Sequence, residues 1–88
     1  MTIEAAVKTI LADLLMVAED ELTPRADLAH DLSMDSLDRV ELTMILEENM
    51  PEDSVIDDRI AAEWRTVQDV VDSMEELAKE WGKKAAAV

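Results

Sequence analysis

The sequence predicts an all-α protein, a small four-helix bundle built from three main helices and one short third helix. Its 88 residues include only one Gly and two Pro, and its many Ala, Leu, Glu and Met residues favour helix. The Val and Leu residues show no alternation of the kind that marks a strand. A chain of this length forms one domain at most, and helical packing is an economical way for it to bury a core.

The first and last helices are predicted from regular apolar stripes. Helical spacing near the N-terminus predicts a helix over residues 3–16, with Thr2 as its cap. Thr66 is the predicted cap of the last helix, with Asp69 three residues on, and Gly82 is its predicted stop. A domain over residues 1–82 and a frayed tail over residues 83–88 follow. The stripes are Ile3, Val7, Ile10, Leu11 and Leu14, and then Val67, Val70, Val71, Met74, Leu77, Ala78 and Trp81.

Between residues 17 and 35 the apolar period is lost, which predicts a long loop. Pro24 opposes continuation of the first helix through this segment. Leu22, Leu28 and Leu32 are spaced so that they can pin the loop across the bundle. His30 is the single histidine, and we interpret it as an exposed bystander rather than a catalytic base because no nucleophile triad accompanies it.

The second helix, predicted over residues 36–49, carries two apolar stripes. The residues of the two stripes are Leu37, Val40 and Met44 in one, and Leu42, Ile45, Leu46 and Asn49 in the other. A helix needs only one apolar stripe to join a small bundle. The stripe that begins next to Ser36 is therefore predicted to face outward, towards partners, and the other to face the core. The alternative is that neighbouring helices bury both stripes.

A short third helix is predicted around residues 57–62, after a break at Met50-Pro51. Trp64 follows this helix and is predicted to plug the core just before the last helix. The alternative for Trp64 is an exposed aromatic contact, since Glu63 and Arg65 flank it.

The formal net charge of −14 limits the classes of partner. Such a field opposes nucleic acids and attracts proteins with basic patches, although acidity that serves solubility alone is common. Cysteine is absent, so any thiol chemistry must come from an added group. No apolar run can span a bilayer, and residues 1–4 lack the features of a signal segment. A cytoplasmic monomer is the expectation.

Several kinds of catalytic or metal site are disfavoured. Asp31, Ser33 and Asp35 begin like a calcium loop, but Ser36 and Leu42 stand where that loop needs Gly and Glu. A zinc site would need Cys or several His residues, and no Gly-rich phosphate loop occurs. A small bundle also offers no deep pocket for a hydrolase with two catalytic carboxylates. No metal site is predicted.

Ser36 stands where the long loop becomes the second helix. Asp35 is a good N-cap residue, and Asp38 lies three residues on, nearly as in a capping box. A helix start presents unpaired N–H groups and a positive dipole end, so a phosphate ester on Ser36 would lie in a favourable field. Capping alone is the commoner reason for Asp-Ser at a helix start.

Residues 31–42, Asp-Leu-Ser-Met-Asp-Ser-Leu-Asp-Arg-Val-Glu-Leu, resemble the signature of acyl carrier proteins. Its usual form is Asp-Leu-Gly-Ala-Asp-Ser-Leu-Asp-x-Val-Glu-Leu, followed by an apolar and then acidic helix. The similarity extends more weakly over nearly the whole chain, as far as residues 79–81. The resemblance implies that Ser36 carries a 4′-phosphopantetheine arm, and that Asp35 caps the helix and helps to position the metal used during modification. It also implies a partner surface made of Leu37, Asp38, Val40, Glu41, Met44, Glu47 and Glu48.

The resemblance implies a carrier, not an enzyme. A separate phosphopantetheinyl transferase would load the arm from coenzyme A with magnesium, and the arm's thiol would hold acyl groups as thioesters. Acyl-loading and acyl-processing enzymes of fatty acid, polyketide or related biosynthesis would then dock through basic patches. The family also shelters acyl chains between helices one, two and four. Two alternatives stay open: an unmodified acidic adaptor in which Ser36 is only a cap, and a peptidyl or aminoacyl carrier.

Three departures from the usual signature predict a specialised carrier. Ser33 replaces a Gly, so a conformation that Gly allows is expected to be absent or strained. Met34 replaces a small residue beside the attachment site and is expected to alter which transferase or ketosynthase accepts the protein. His30 replaces a common acid. The segment around the third helix is also about two residues longer than in the usual family pattern and lacks the usual Pro after Ile56.

Overall fold

A computed structural model describes residues 2–50 and 55–86, with side chains described as far as Lys79. It confirms the all-α class. The four α-helices are α1 (Ile3–Leu15), α2 (Ser36–Glu48), α3 (Asp58–Ala62) and α4 (Val67–Ala86), and a 3₁₀ turn covers Glu19–Glu21. Within these ranges the only β-type pairing is an isolated bridge between Asp27 and Thr66. No helix in the described ranges combines the length and apolarity needed to cross a membrane.

A side-chain cap fixes the start of helix α1, and a residue in the left-handed conformation ends it. The Thr2 hydroxyl oxygen accepts a hydrogen bond from the Ala5 N–H at 3.1 Å, which confirms the predicted cap. At the other end Met16 adopts a left-handed conformation (φ 56°, ψ 46°), so the helix stops one residue earlier than predicted. Val7 and Leu11 are buried, and the helix packs against both α2 and α4.

The core is a single apolar cluster to which every helix and the long loop contribute. Trp64 is 2% exposed and is the largest of its fully buried side chains, which confirms that it plugs the core. Its indole Nε1–H donates to the Ser73 hydroxyl at 2.8 Å, so the one polar atom of the ring is satisfied. The alternative of an exposed aromatic contact at Trp64 is wrong.

The long loop is pinned to the bundle, as predicted. Leu22, Leu28 and Leu32 are all buried. The Leu28 N–H donates to the Arg65 carbonyl at 2.8 Å, and the Leu28 carbonyl accepts from the Met34 N–H at the same distance. Because the loop is tied to the start of α4 and to its own end, it fixes the point at which α2 begins.

Helix α4 starts as predicted but ends later. Thr66 and Asp69 form a reciprocal capping box, with the Asp69 carboxylate accepting from the Thr66 N–H at 3.1 Å. A backbone hydrogen bond from Arg65 is the main reason why the pKa of Asp69 is lowered. The helix continues to Ala86, so the prediction that it stops at Gly82 is wrong.

A single Gly costs a helix only about 1 kcal/mol, and Gly82 is surrounded by strong helix formers. The separation of a domain over residues 1–82 from a tail stays a prediction. Residues 83–86 continue α4, and residues 87–88 lie outside the described ranges.

Helix α3 is short, as predicted. The Asp57 carboxylate accepts from the Arg59 N–H at 2.8 Å and caps the helix, which begins at Asp58. Helix α2 ends at Glu48 with Asn49 as its C-cap residue. The predicted break at Met50-Pro51 lies in part outside the described residues, since residues 51–54 are not described.

Candidate functional site

Ser36 is the first residue of α2, and its side chain is exposed. Asp35 is the N-cap residue, and its carboxylate accepts from the Asp38 N–H at 2.8 Å. In return the Asp38 carboxylate accepts from the Asp35 N–H at 3.2 Å. This reciprocal box confirms the predicted cap and fixes the first turn of α2 on which the Ser36 hydroxyl is presented.

The start of α2 fits a phosphate ester. Among the hydrogen bonds of the described residues, none involves the backbone N–H of Ser36 or Leu37. These unpaired donors lie at the positive end of the helix dipole, where phosphate oxygens are stabilised. The residues present therefore suit a phosphodiester on the Ser36 oxygen, with solvent access for the group attached to it.

Ser33 lies in the turn before α2, where the sequence predicts that a backbone conformation allowed to Gly is absent or strained. Ser33 adopts φ 58°, in the left-handed region that Gly enters freely and other residues enter at a cost. The conformation is therefore present, although no Gly supplies it. Met34 is 6% exposed and packs in the core, so its side chain offers a docking enzyme little surface.

The two apolar stripes of α2 differ sharply in exposure. Leu37, Val40 and Met44 are 65%, 54% and 57% exposed, whereas Leu42 and Leu46 are 0% and 2% exposed. The predicted orientation is confirmed, and the alternative in which both stripes are buried is wrong. One predicted member of the inner stripe is misplaced. Asn49 is exposed, and its side-chain amide donates to the Ile45 carbonyl at 2.8 Å.

The acidic residues of α2 fall into two groups. Glu41 and Glu48 are exposed, and no hydrogen bond or ion pair joins their carboxylates to another of the described residues. Asp38 is half-buried and serves the capping box. Glu47 is also half-buried, and its carboxylate accepts from the Ile56 N–H at 2.8 Å. Their exposure therefore suits Glu41 and Glu48 for contact with a basic partner better than Glu47.

Sequence reasoning missed the roles of Arg39 and Glu47. The Arg39 guanidinium is partly buried and donates to the carbonyls of Ala61, at 2.6 Å, and Trp64, at 2.9 Å. The partners lie 22 and 25 residues from Arg39 and 9 residues from Glu47, outside α2, so no periodic pattern within the helix signals either contact.

Among the described residues, Asp27 is the one hydrogen-bond partner of the His30 ring. The ring is exposed, and its Nδ1 lies 3.2 Å from an Asp27 carboxylate oxygen. The same oxygen accepts from the His30 backbone N–H, which is the main cause of the lowered pKa of Asp27. Within the described part of the chain there is no group of three or more residues that could hold a metal ion.

One apolar cavity of about 90 Å³ lies between α1, α2 and α4. Leu46 and Asn49 place it near the far end of α2 from Ser36. Its lining residues are Ile3, Ala6, Val7, Ile10, Leu46, Asn49 and Met74.

Comparisons with known proteins agree with this geometry. The family model described as the phosphopantetheine attachment site matches residues 5–74. An acyl carrier protein from Thermosynechococcus vestitus is 48% identical over 66 residues, which are 75% of this chain and 79% of that protein. A solved structure of a candidate acyl carrier protein from Mycobacterium tuberculosis has 29% identity and a TM-score of 0.75. The match covers 86% of this chain and 99% of that one.

The matched region includes the whole of α2 and the turn before it. Fold, sequence and the presented serine all agree with a carrier rather than an enzyme. The chain therefore belongs to the acyl carrier protein family, and the group that its attachment-site domain carries is 4′-phosphopantetheine.

Proposed function

We propose that Ser36 is the attachment residue for 4′-phosphopantetheine and that the protein delivers acyl groups to partner enzymes. The observation that carries this proposal is the placement of an exposed Ser36 hydroxyl on the first turn of α2, beside two unpaired backbone N–H groups. Ser36 is also the residue that matches the serine of the family signature.

The modification step assigns distinct tasks to this chain. The Ser36 oxygen attacks the phosphorus that bears the pantetheine, its proton passes to a base of the transferase, and the adenosine 3′,5′-bisphosphate part of coenzyme A leaves. Asp35 holds the helix start through its capping carboxylate, and it would help to position the transferase's magnesium. The attached arm supplies the thiol that holds an acyl group as a thioester. Tethering raises the local concentration of that group at whichever enzyme docks.

The outer surface of α2 is the proposed docking surface. Its three exposed apolar side chains supply contact area, and the exposed carboxylates of Glu41 and Glu48 meet basic residues of the partner. Asp38 and Glu47 belong to the same predicted surface, but both already accept hydrogen bonds within the chain. We assign them a supporting role, in which they hold the helix and its neighbours in place for docking.

The carrier is proposed to be specialised, within fatty acid, polyketide or related acyl-chain biosynthesis. The support is in the sequence, where Ser33, Met34 and His30 depart from the usual signature just before the attachment residue. Equal performance with a housekeeping carrier in ordinary chain elongation would refute specialisation. A cytoplasmic location, a monomeric state and partners such as a phosphopantetheinyl transferase are proposed with it.

Intact mass measurement tests the attachment. The protein is incubated with coenzyme A, magnesium and a broad-specificity phosphopantetheinyl transferase, and the parent should gain one phosphopantetheine. Ser36→Ala should gain none. Ser33→Gly is the matched control, because it removes a second exposed serine from the same turn and should still be modified. A folded parent that several transferases leave unchanged would favour the rival adaptor function, with Ser36 acting only as a cap.

The acidity of the chain and the Glu-rich end of α2 favour acyl groups over aminoacyl or peptidyl groups as cargo. Loading the modified protein with acyl and aminoacyl thioesters, and then comparing the proteins that each form captures, would test this choice. Preferential capture of aminoacyl-processing enzymes by the aminoacyl form would reverse it.

A further inference from the structure

Charged side chains of α2 fasten the α3 segment, residues 56–64, at both of its ends. At the near end Glu47 accepts from the Ile56 N–H at 2.8 Å, just before α3. At the far end Arg39 donates to the carbonyl of Ala61, in the last turn of α3, and to the carbonyl of Trp64, the second residue after the helix. Both contacts are partly buried, so each is shielded from competing water.

The Arg39 contact joins one charged side chain to two backbone carbonyls, whereas the Glu47 contact involves a single N–H. The Arg39 guanidinium donates to carbonyls at a helix C-terminus, where the dipole is negative and a cation is favoured. The Ala61 carbonyl also accepts from the Trp64 N–H at 3.2 Å, so one oxygen takes part in both the helix end and the fastening. Residue 39 occupies the variable place of the acyl carrier signature, so the signature itself does not specify this contact.

The two helices enclose a groove of about 280 Å³ beside the proposed attachment residue. Its walls are formed by Arg39, Val40 and Thr43 of α2 and by Asp58, Ala61 and Ala62 of α3. Val40 lies one helical turn after Ser36 and is also part of the exposed apolar stripe. The position of α3 therefore decides the shape of the surface next to Ser36.

We propose that Arg39 is a positioning residue for docking: it holds α3 against α2 and so fixes the surface that a partner enzyme meets beside Ser36. This inference rests on the proposed function, since it concerns docking at the same site. Arg39 does so through the two α3 carbonyls, and its guanidinium is occupied within the protein.

Amide hydrogen exchange tests the fastening. Arg39→Met keeps the length and apolar stem of the side chain but removes its donors. Exchange of the amides of residues 60–64 should then speed up by about 10- to 100-fold, as expected for loss of hydrogen bonds to a charged donor. Exchange in α1 should stay unchanged. Arg59→Met is the matched control, since Arg59 is exposed and, among the described residues, its side chain makes no hydrogen bond or ion pair.

Steady-state modification by a phosphopantetheinyl transferase tests the docking role. With Arg39→Met as the carrier substrate, we expect KM to rise by about 3- to 10-fold and kcat to stay within about twofold of the parent value. Arg39→Lys, which can reach one of the two carbonyls, should recover part of the loss in both exchange and KM. Arg59→Met should match the parent in both.

Two results for Arg39→Met would overturn the inference. One is an unchanged rate of amide exchange in residues 60–64, and the other is faster exchange there together with an unchanged KM. Should Arg39→Met fold poorly, the same criteria apply to Arg39→Lys. The exchange measurement needs no modification of Ser36, so failure of the proposed function would show separately, as a parent protein that the transferase cannot modify.

Discussion

The outer and inner faces of α2 are made from similar residues but do different work. The inner face buries Leu42 and Leu46 almost completely, and the outer face leaves Leu37, Val40 and Met44 more than half exposed. Exposed apolar side chains contribute little to the free energy of folding. The outer stripe is therefore better explained by association with other proteins than by stability. The acidic residues divide in the same way, because Glu47 contacts the chain's own backbone and Glu48 faces solvent.

The largest difference in stability between the two faces is expected when an apolar side chain is shortened to Ala. Leu42→Ala should lower the free energy of unfolding by roughly 2.7–5 kcal/mol, because it removes buried methyl groups and leaves a cavity. Met44→Ala, on the exposed stripe, should change it by less than about 0.5 kcal/mol. Chemical denaturation of both variants measures the contrast. Equal losses would mean that the outer stripe also packs within the protein.

The adjacent pair Glu47 and Glu48 tests the same contrast for carboxylates. Glu47→Ala should cost about 1–3 kcal/mol, because the partly buried Ile56 N–H loses its acceptor. Glu48→Ala removes the same side chain from the next, exposed position and should cost less than about 0.5 kcal/mol. The denaturation midpoints of the two variants, each compared with the parent, measure this contrast. Equal midpoints would show that the Glu47 contact adds nothing to stability.

A smaller effect is expected at Ser33, whose turn sets where α2 begins and therefore which face points outward. Ser33→Gly should stabilise the protein by roughly 0.5–1 kcal/mol, because Gly adopts positive φ without the Cβ penalty, and its greater freedom when unfolded offsets part of this gain. Thermal or chemical denaturation measures the change. A loss of stability would mean that the Ser33 side chain makes a favourable contact.

The smallest effect on stability is expected from the outer acids. Glu41→Gln together with Glu48→Gln should leave the free energy of unfolding within about 0.5 kcal/mol of the parent value. The same double variant should be a poorer transferase substrate at low salt, and the difference should shrink as salt screens the surface charges. Values of kcat/KM over a salt series check this. A difference that does not depend on salt would argue against electrostatic docking.

Much of the fold could be predicted because its signals are local. The helices follow from apolar spacing, Thr2, Asp35 and Thr66 cap them through side chains within a few residues, and the exposed stripe follows from the rotation of a single helix. The signature around Ser36 is also local, so the sequence sufficed to identify the candidate attachment residue and the family.

What could not be predicted depends on contacts between distant residues. No pattern in the sequence signals the contacts of Arg39 and Glu47, because their partners lie outside α2, in the segment around α3. The end of α4 was misplaced because a Gly can end a helix or be tolerated inside one, according to the helix formers around it. The position of Met34 beside the attachment site predicts an effect on which enzymes accept the protein, whereas the structure shows that its side chain packs in the core.

The exposed stripe of α2 also has a colloidal consequence. At neutral pH the net charge of −14 keeps copies of the protein apart, so the stripe stays available to other proteins. Near the isoelectric point, about pH 4.1, that mutual repulsion vanishes while the stripe remains apolar. The feature proposed to recruit enzymes at neutral pH would then join one copy to another, and light scattering during mild acidification would show particles growing before helix content is lost.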